Sequence, residues 1–353
     1  MLLLPGPAKS VDRIMDAYRK QTASPESGEF IALKRGIIEK TKKYFDCDGL
    51  AAIEGTGTLA IEMMAATACT GRKVLCLSNG EYGSRLARAC AGYAKEAMEF
   101  NAPIGNSLTL GRVSQKIDES GAEVLALVHG ETSAGVSNEA GKICSYAKEK
   151  GMITLVDGIG SIFATDFSSK RFGADFACCS SSMALGAPSG AGLIGLSADA
   201  IEHAKKSAAP SYYMNLSNHL SDSNPPISTP SAWLCHSLDE AYKILEEHGG
   251  LPVNIKRHAE GSDFIRKNLE SLGIQVVGEA GYHSNTVTVF NTGNPLLLSQ
   301  RLKERFGIEI GLGIGALSEN TLRVGHLGNF TLAELDYFTS SLNELASEDS
   351  FPL

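Results

Sequence analysis

Val124-Leu125-Ala126-Leu127-Val128, an amphipathic run from Asn138 to Lys150, and then Ile153-Thr154-Leu155-Val156-Asp157 make up the stretch on which the fold turns. Two short apolar runs of strand length flank a run with helical spacing, so the order reads strand, helix, strand. The alternation continues on either side. Strands are expected at Val74 to Ser78, Phe176 to Ser180 and Leu193 to Ser197, and helices at about Thr58 to Ala68, Gly83 to Lys95 and Ala198 to Lys205. Such a pattern predicts an α/β fold with a mostly parallel sheet, helices on both faces and mixed strand directions toward its end.

Beyond it, Ser207 to Pro230 is rich in Ser, Asn and Pro and has neither period, which predicts a long functional loop or connector. Ser237 to Glu247 is amphipathic, His248-Gly249-Gly250 stops it, and Val253 to Leu272 resumes the helical period. This helix pair is expected to bridge out of the large domain. The remainder reads as strand (Ile274 to Val277), strand (Thr286 to Phe290), helix (Leu296 to Phe306), strand (Thr321 to Val324) and helix (Leu332 to Leu345), a smaller α+β domain. The expected division is an N-terminal segment over 1–20, a large domain over 21–250 and a small one over 251–353.

A chain of 353 residues has the length of roughly two domains. Its net charge of -8 argues against nucleic acid or an anionic membrane surface, which need a basic face, and favours small-molecule partners. No apolar run reaches the roughly 18 residues of a membrane span, and Met1-Leu2-Leu3-Leu4-Pro5-Gly6 lacks the charged and long apolar regions of a signal peptide. A cytoplasmic protein is expected. The eight cysteines show no CxxC spacing and the eight histidines no HxxxH or HxH pair, so reduced core thiols and no metal site are expected.

Three stretches carry chemistry. Glu54-Gly55-Thr56-Gly57-Thr58 is a glycine-rich turn opening into a helix, where bare N–H groups and Thr hydroxyls can cradle a phosphate; alone it reads more readily as a Thr-capped helix after a tight turn. Asp157 ends an apolar strand, where open α/β sheets hold ligands, and a carboxylate buried there needs a cation, such as a protonated pyridine nitrogen. A loop-capping Asp is the plain alternative. Cys179 to Gly190 runs from a strand into a loop containing Gly186, Pro188 and Gly190, a simple strand exit on its own.

Taken together and in order, Gly55-Thr56-Gly57-Thr58, Asn79-Gly80-Glu81-Tyr82-Gly83-Ser84-Arg85, His129-Gly130-Glu131-Thr132-Ser133-Ala134-Gly135-Val136, Val156-Asp157, Ala184-Leu185-Gly186-Ala187-Pro188 and Leu322-Arg323-Val324-Gly325-His326 resemble the class V aminotransferases. Within that family the likeness is to alanine/serine–glyoxylate and 2-aminoethylphosphonate–pyruvate transaminases, and it runs from Pro5 to the last helix. The resemblance implies the fold-type-I architecture of pyridoxal 5'-phosphate (PLP) enzymes and a homodimer with its active site at the interface. It implies a reaction that moves an amino group between a small amino acid or aminoethylphosphonate and a 2-oxo acid. It places Thr56, Gly57 and Thr58 at the cofactor phosphate, Tyr82 and Ile159 against the pyridine ring, Thr132 near the ring O3′ and Asp157 at the ring nitrogen. Arg323 falls at the substrate carboxylate, and Thr229 at the phosphate of the neighbouring subunit.

Two departures stand out. The aromatic expected three positions before Thr229 is Pro226, and the Schiff-base lysine, due twenty-six positions beyond Asp157, is Met183, preceded by Ser182 where the family has glutamine. Lys170 lies thirteen positions too early. A lysine amine holds the cofactor covalently, speeds exchange with the incoming amine and carries a proton. A thioether does none of these, although Met fills similar space. The residues therefore also allow a non-catalytic PLP- or ligand-binding homologue, and a PLP lyase or epimerase. An NAD-type fold is disfavoured because the turn at Gly55 lacks GxGxxG spacing.

Overall fold

A computed structural model describes residues 1–21, 24–220 and 227–348. Its larger sheet has seven strands in the order Gly49–Glu54, Ala191–Leu196, Phe176–Ser180, Ile153–Asp157, Val124–Val128, Lys73–Ser78 and Glu96–Asn101. Ala191–Leu196 is antiparallel to both of its neighbours, and the other pairings are parallel. Six strands thus point one way, and their carboxyl ends share one edge of the sheet.

Both faces of this sheet are covered, which is why its central strands are apolar throughout and do not alternate with polar residues. Side-chain alternation still sorts them. Leu125 and Leu127 pack with Ile143, Val113 and Leu238 on one face, and Val124, Ala126 and Val128 pack with Met63, Met64 and Leu86 on the other. The first group comes from helices Leu110–Ser120, Ala140–Glu149 and Ala232–Glu247, the second from Gly57–Cys69 and Glu81–Ala91.

The sequence pattern located the central strands and missed their flanks. Half of Gly49–Glu54 is Gly or Ala and Ile53 is its one β-branched residue, and Glu96–Asn101 is a mostly exposed edge strand carrying two glutamates. The strand expected at Leu193 to Ser197 is Ala191–Leu196, and the 18-residue helix Gly28–Phe45 was not anticipated.

A second sheet orders its four strands Leu2–Leu3, Glu309–Leu312, Thr321–Gly325 and Val287–Asn291. Leu2–Leu3 pairs in parallel with Glu309–Leu312, so the start of the chain is woven into the sheet near its end. The expected strand from Ile274 to Val277 is only a bridge between Val276 and Phe290. Helices Ala232–Glu247 and Gly250–Ser271 follow one another, separated where Gly249 takes a left-handed φ of 97°. Among the described residues no helix is long and apolar enough to cross a membrane.

Asp175 ties the large sheet to its helices. It is buried and accepts hydrogen bonds from Lys148 Nζ at 2.9 Å, Ser197 Oγ at 2.8 Å and the Thr154 amide at 3.0 Å. Asp175→Ala removes the acceptor of the buried Thr154 amide and of Ser197 Oγ, while Lys148 keeps Asp199 at 3.3 Å, and is expected to lower stability by about 3 kcal/mol. Lys148→Ala, which removes a partly exposed partner, should cost about 1 kcal/mol. Urea unfolding of both variants checks the ranking.

Candidate active site

Parallel strands deliver their successors to the carboxyl edge of the sheet. There Gly57, Thr58, Tyr82, Thr132, Asp157, Ile159, Ser182 and Met183 line a single pocket, joined by Arg85 and by Pro5 and Gly6 from the start of the chain. Eight positions singled out in the sequence therefore meet. Thr56, Thr229 and Arg323 do not line this pocket.

Asp157 is 2% exposed. Its Oδ1 accepts the Ile159 amide at 2.9 Å, and no ion pair to it forms among the described residues. Burial pushes its carboxyl up to about 7, reinforced by the nearby charge of Glu131 and opposed by that hydrogen bond and by Arg85. A carboxylate so placed is poised to take a cation.

The walls are set by close approach. A Cβ on Gly57 would lie 2.5 Å from Ile159 Cδ1 and 3.3 Å from Ser180 Cβ, so glycine is what lets the helix start draw up to the loop after Asp157. Thr56 is the exposed N-cap of that helix without a side-chain cap bond, and Thr58 is exposed as well. Helix Glu81–Ala91 carries Tyr82 and, one turn on, Arg85, whose guanidinium sits 5.1 Å from the Tyr82 ring centre. Thr132 is buried against Gly160, where an added Cβ would come within 2.6 Å of the Thr132 methyl.

Met183 is partly buried and, like Ala8, packs against Val287, Val289 and Leu327. Its sulfur faces Gly6, whose missing Cβ would be 2.6 Å from Sδ. Among the described residues no lysine lines the pocket. Lys170 pairs with Asp48 at 3.0 Å, and Lys9 pairs with Glu334 at 2.5 Å.

Arg323 is 7% exposed, and its Nε donates to the Leu312 carbonyl at 2.8 Å. Its Nη1 is buried without a hydrogen-bond partner, and no ion pair to Arg323 forms among the described residues. Cross-strand partners share a face, and Arg323 stands opposite Val289, which packs with Met183. The guanidinium therefore lies on the sheet face turned toward Met183. Thr229 is exposed just ahead of helix Ala232–Glu247, and Pro226 lies outside the described residues.

The pocket also contains residues to which the sequence reading gave no role. Arg85 was within reach of that reading, because it follows Tyr82 by three positions on one helix face. Pro5 and Gly6 were not, because their place depends on Leu2–Leu3 pairing with a strand some three hundred residues away.

A family model described as Aminotransferase class-V matches residues 50–330. The chain is 25% identical to a serine–glyoxylate aminotransferase of Arabidopsis thaliana over 100% of this chain and 91% of the relative. It is 26% identical to a 2-aminoethylphosphonate–pyruvate transaminase of Pseudomonas aeruginosa over 99% and 96%. The crystal structure of an alanine–glyoxylate aminotransferase from Nostoc sp. superposes with a TM-score of 0.91 at 25% identity, covering 97% of this chain and 94% of that one.

The state of Asp157 gives a pH dependence with a definite sign. Its carboxyl is raised from an ordinary 3.8 to about 7 in the folded chain, so the native state holds a proton that the unfolded chain has released. Asp157's own contribution to the stability of the ligand-free protein therefore falls as pH rises from about 4 to about 7 and levels off above, opposite in sign to that of the buried His129, His258 and His326, whose lowered pKa values add stability as pH rises over that range. Asp157→Asn, which cannot ionise, should lose that slope and be the more stable protein at pH 8, by on the order of a few kcal/mol. Urea midpoints of both proteins between pH 4 and 8 test this, and parallel profiles would refute it.

Proposed function

The chain belongs to the class V aminotransferase family, whose members depend on pyridoxal phosphate, and from that premise we propose that its pocket holds this cofactor without a covalent link, beside a small 2-amino or 2-oxo acid. The observation that carries the reading is Asp157, a buried carboxylate to which no cation pairs among the described residues. A protonated pyridine nitrogen satisfies it. Tyr82 and Ile159 then hold the ring between them, Thr132 reaches O3′, and Thr56, Gly57 and Thr58 receive the phosphate at the start of their helix. Ser182 closes the wall beside Met183.

When bound, the cofactor supplies an electron sink for moving an amino group. The chain supplies binding and orientation. Arg323 offers its unpartnered Nη1 to a carboxylate, the planar fork that such a group accepts. Position 183 does not fit covalent attachment, and its thioether cannot accept a proton, so amino transfer between alanine, serine or aminoethylphosphonate and glyoxylate or pyruvate is impaired in this chain as it stands. The lack of any lysine in the lining favours a second reading, a PLP- or ligand-binding homologue without turnover. A lyase or epimerase needs the same lysine. Thr229, exposed and outside the pocket, is assigned to the phosphate of a neighbouring subunit in a cytoplasmic homodimer.

Borohydride treatment of the chain with PLP is expected to leave no pyridoxyl-lysine, with the cofactor lost on dialysis, while Met183→Lys should acquire the link at position 183. A labelled lysine peptide from the unaltered chain would sink the proposal. In the Met183→Lys background, Arg323→Ala should weaken alanine or serine binding by roughly 2 to 5 kcal/mol and leave PLP affinity nearly unchanged. Aminoethylphosphonate, which has no α-carboxylate, should be affected less as donor, so titrations with the three amines separate the substrate assignments.

A further inference from the structure

Helix Glu81–Ala91 begins with N–H groups that have no partner within the helix. None of its own side chains caps it. The first three of those groups end instead on a short hairpin, Gly130–Glu131 paired with Val136–Ser137. Ser133 Oγ accepts the Glu81 amide at 3.0 Å, and the Glu131 carboxylate accepts Tyr82 at 3.3 Å and Gly83 at 2.8 Å. Glu131 also accepts the amide of Ser133 at 3.2 Å and its hydroxyl.

Glu131 is fully buried and takes part in no ion pair among the described residues. Burial raises its carboxyl, and these donors, with the positive end of the helix, work in the opposite direction. Its approach depends on Gly80, where a Cβ would lie 2.5 Å from Ser133 Oγ and 2.6 Å from Glu131 Cδ.

A carboxylate of this kind would be an ordinary cap if its neighbours did not form the pocket. Gly130 and Thr132, on either side of Glu131, line it, as do Tyr82 and Arg85 of the helix it grips. The same side chain therefore joins two walls of the site. We propose that Glu131 is a positioning residue, whose buried carboxylate clamps the first turn of helix Glu81–Ala91 and so fixes the Tyr82 ring against the bound pyridine ring and in register with Thr132. The inference rests on the reading of the pocket as a PLP site.

Glu131→Gln keeps the shape but turns one acceptor into an NH2 group directed at N–H donors. The test is a fluorescence titration of PLP into the unaltered chain, Glu131→Gln, Tyr82→Ala and the double variant, with amide exchange at residues 81–83 followed in the ligand-free proteins. A residue acting through Tyr82 gives a non-additive cycle. Glu131→Gln should weaken PLP about tenfold with Tyr82 present, and less than about twofold in Tyr82→Ala, corresponding to one lost buried hydrogen bond. Exchange at 81–83 should rise alike in both backgrounds.

An equal loss in both backgrounds, or no loss with Tyr82 present, overturns the assignment while leaving the PLP reading intact. An unaltered chain that takes up no PLP overturns both. Should Glu131→Gln not fold, Ser133→Ala, which removes one donor to the carboxylate and the acceptor for Glu81, is carried through the same cycle with the same criteria.

Discussion

Val128 pairs with Asp157, and Asp157 with Cys178, in the middle of a seven-stranded sheet covered on both faces. A carboxylate held there is largely removed from solvent, and among the described residues the Ile159 amide is the donor it accepts. The rest of the site is arranged around that desolvated charge. The loop after Asp157 brings Ile159 to the glycine at the head of the neighbouring helix, the strand on one side leads to Thr132, and the strand on the other leads to Ser182 and Met183. Parallel register is what makes these separate loops meet.

Met183 divides the chemistry from the architecture. The thioether sits between Gly6 and the cluster of Val287, Val289 and Leu327, so position 183 is occupied by an apolar side chain that brings no charge into this packing. A side chain of this kind packs against the second sheet and offers no amine to the pocket. Lys9 and Lys170 are held in ion pairs elsewhere, and among the described residues no lysine lines the pocket. On the proposed reading, binding and turnover would separate at this one position.

What the sequence revealed follows from the range of the interactions involved. Val124 to Val128 and Ile153 to Asp157 announce themselves because burial on both faces demands unbroken apolar runs. Gly49–Glu54 and Glu96–Asn101 are the two edges of the sheet, the first a buried but short apolar run half made of Gly and Ala and the second mostly exposed, and neither has the β-branched or long apolar signature of the central strands. The same distinction holds in the site. Gly57, Tyr82 and Asp157 stand at ends of elements with local signatures, whereas the contribution of Gly6 depends on the pairing of Leu2 with Glu309. Glu131 was visible only as part of a motif; its role required knowing that the hairpin folds back onto a helix some fifty residues earlier.

Arg323 and Asp157 together bear on whether the pocket still serves a ligand. One is a buried guanidinium nitrogen without a partner, the other a buried carboxylate whose proton affinity has been raised by desolvation. Each costs the empty fold free energy that an apolar side chain of similar size would not. The two are opposite in sign, yet no ion pair joins them. A molecule with a cationic ring nitrogen relieves the first cost at Asp157, and one with a carboxylate relieves the second at Arg323. Whatever satisfies these groups binds the native chain and not the unfolded one, and so stabilises it by mass action. That linkage does not require a lysine at position 183, because neither Asp157 nor Arg323 pairs with Met183.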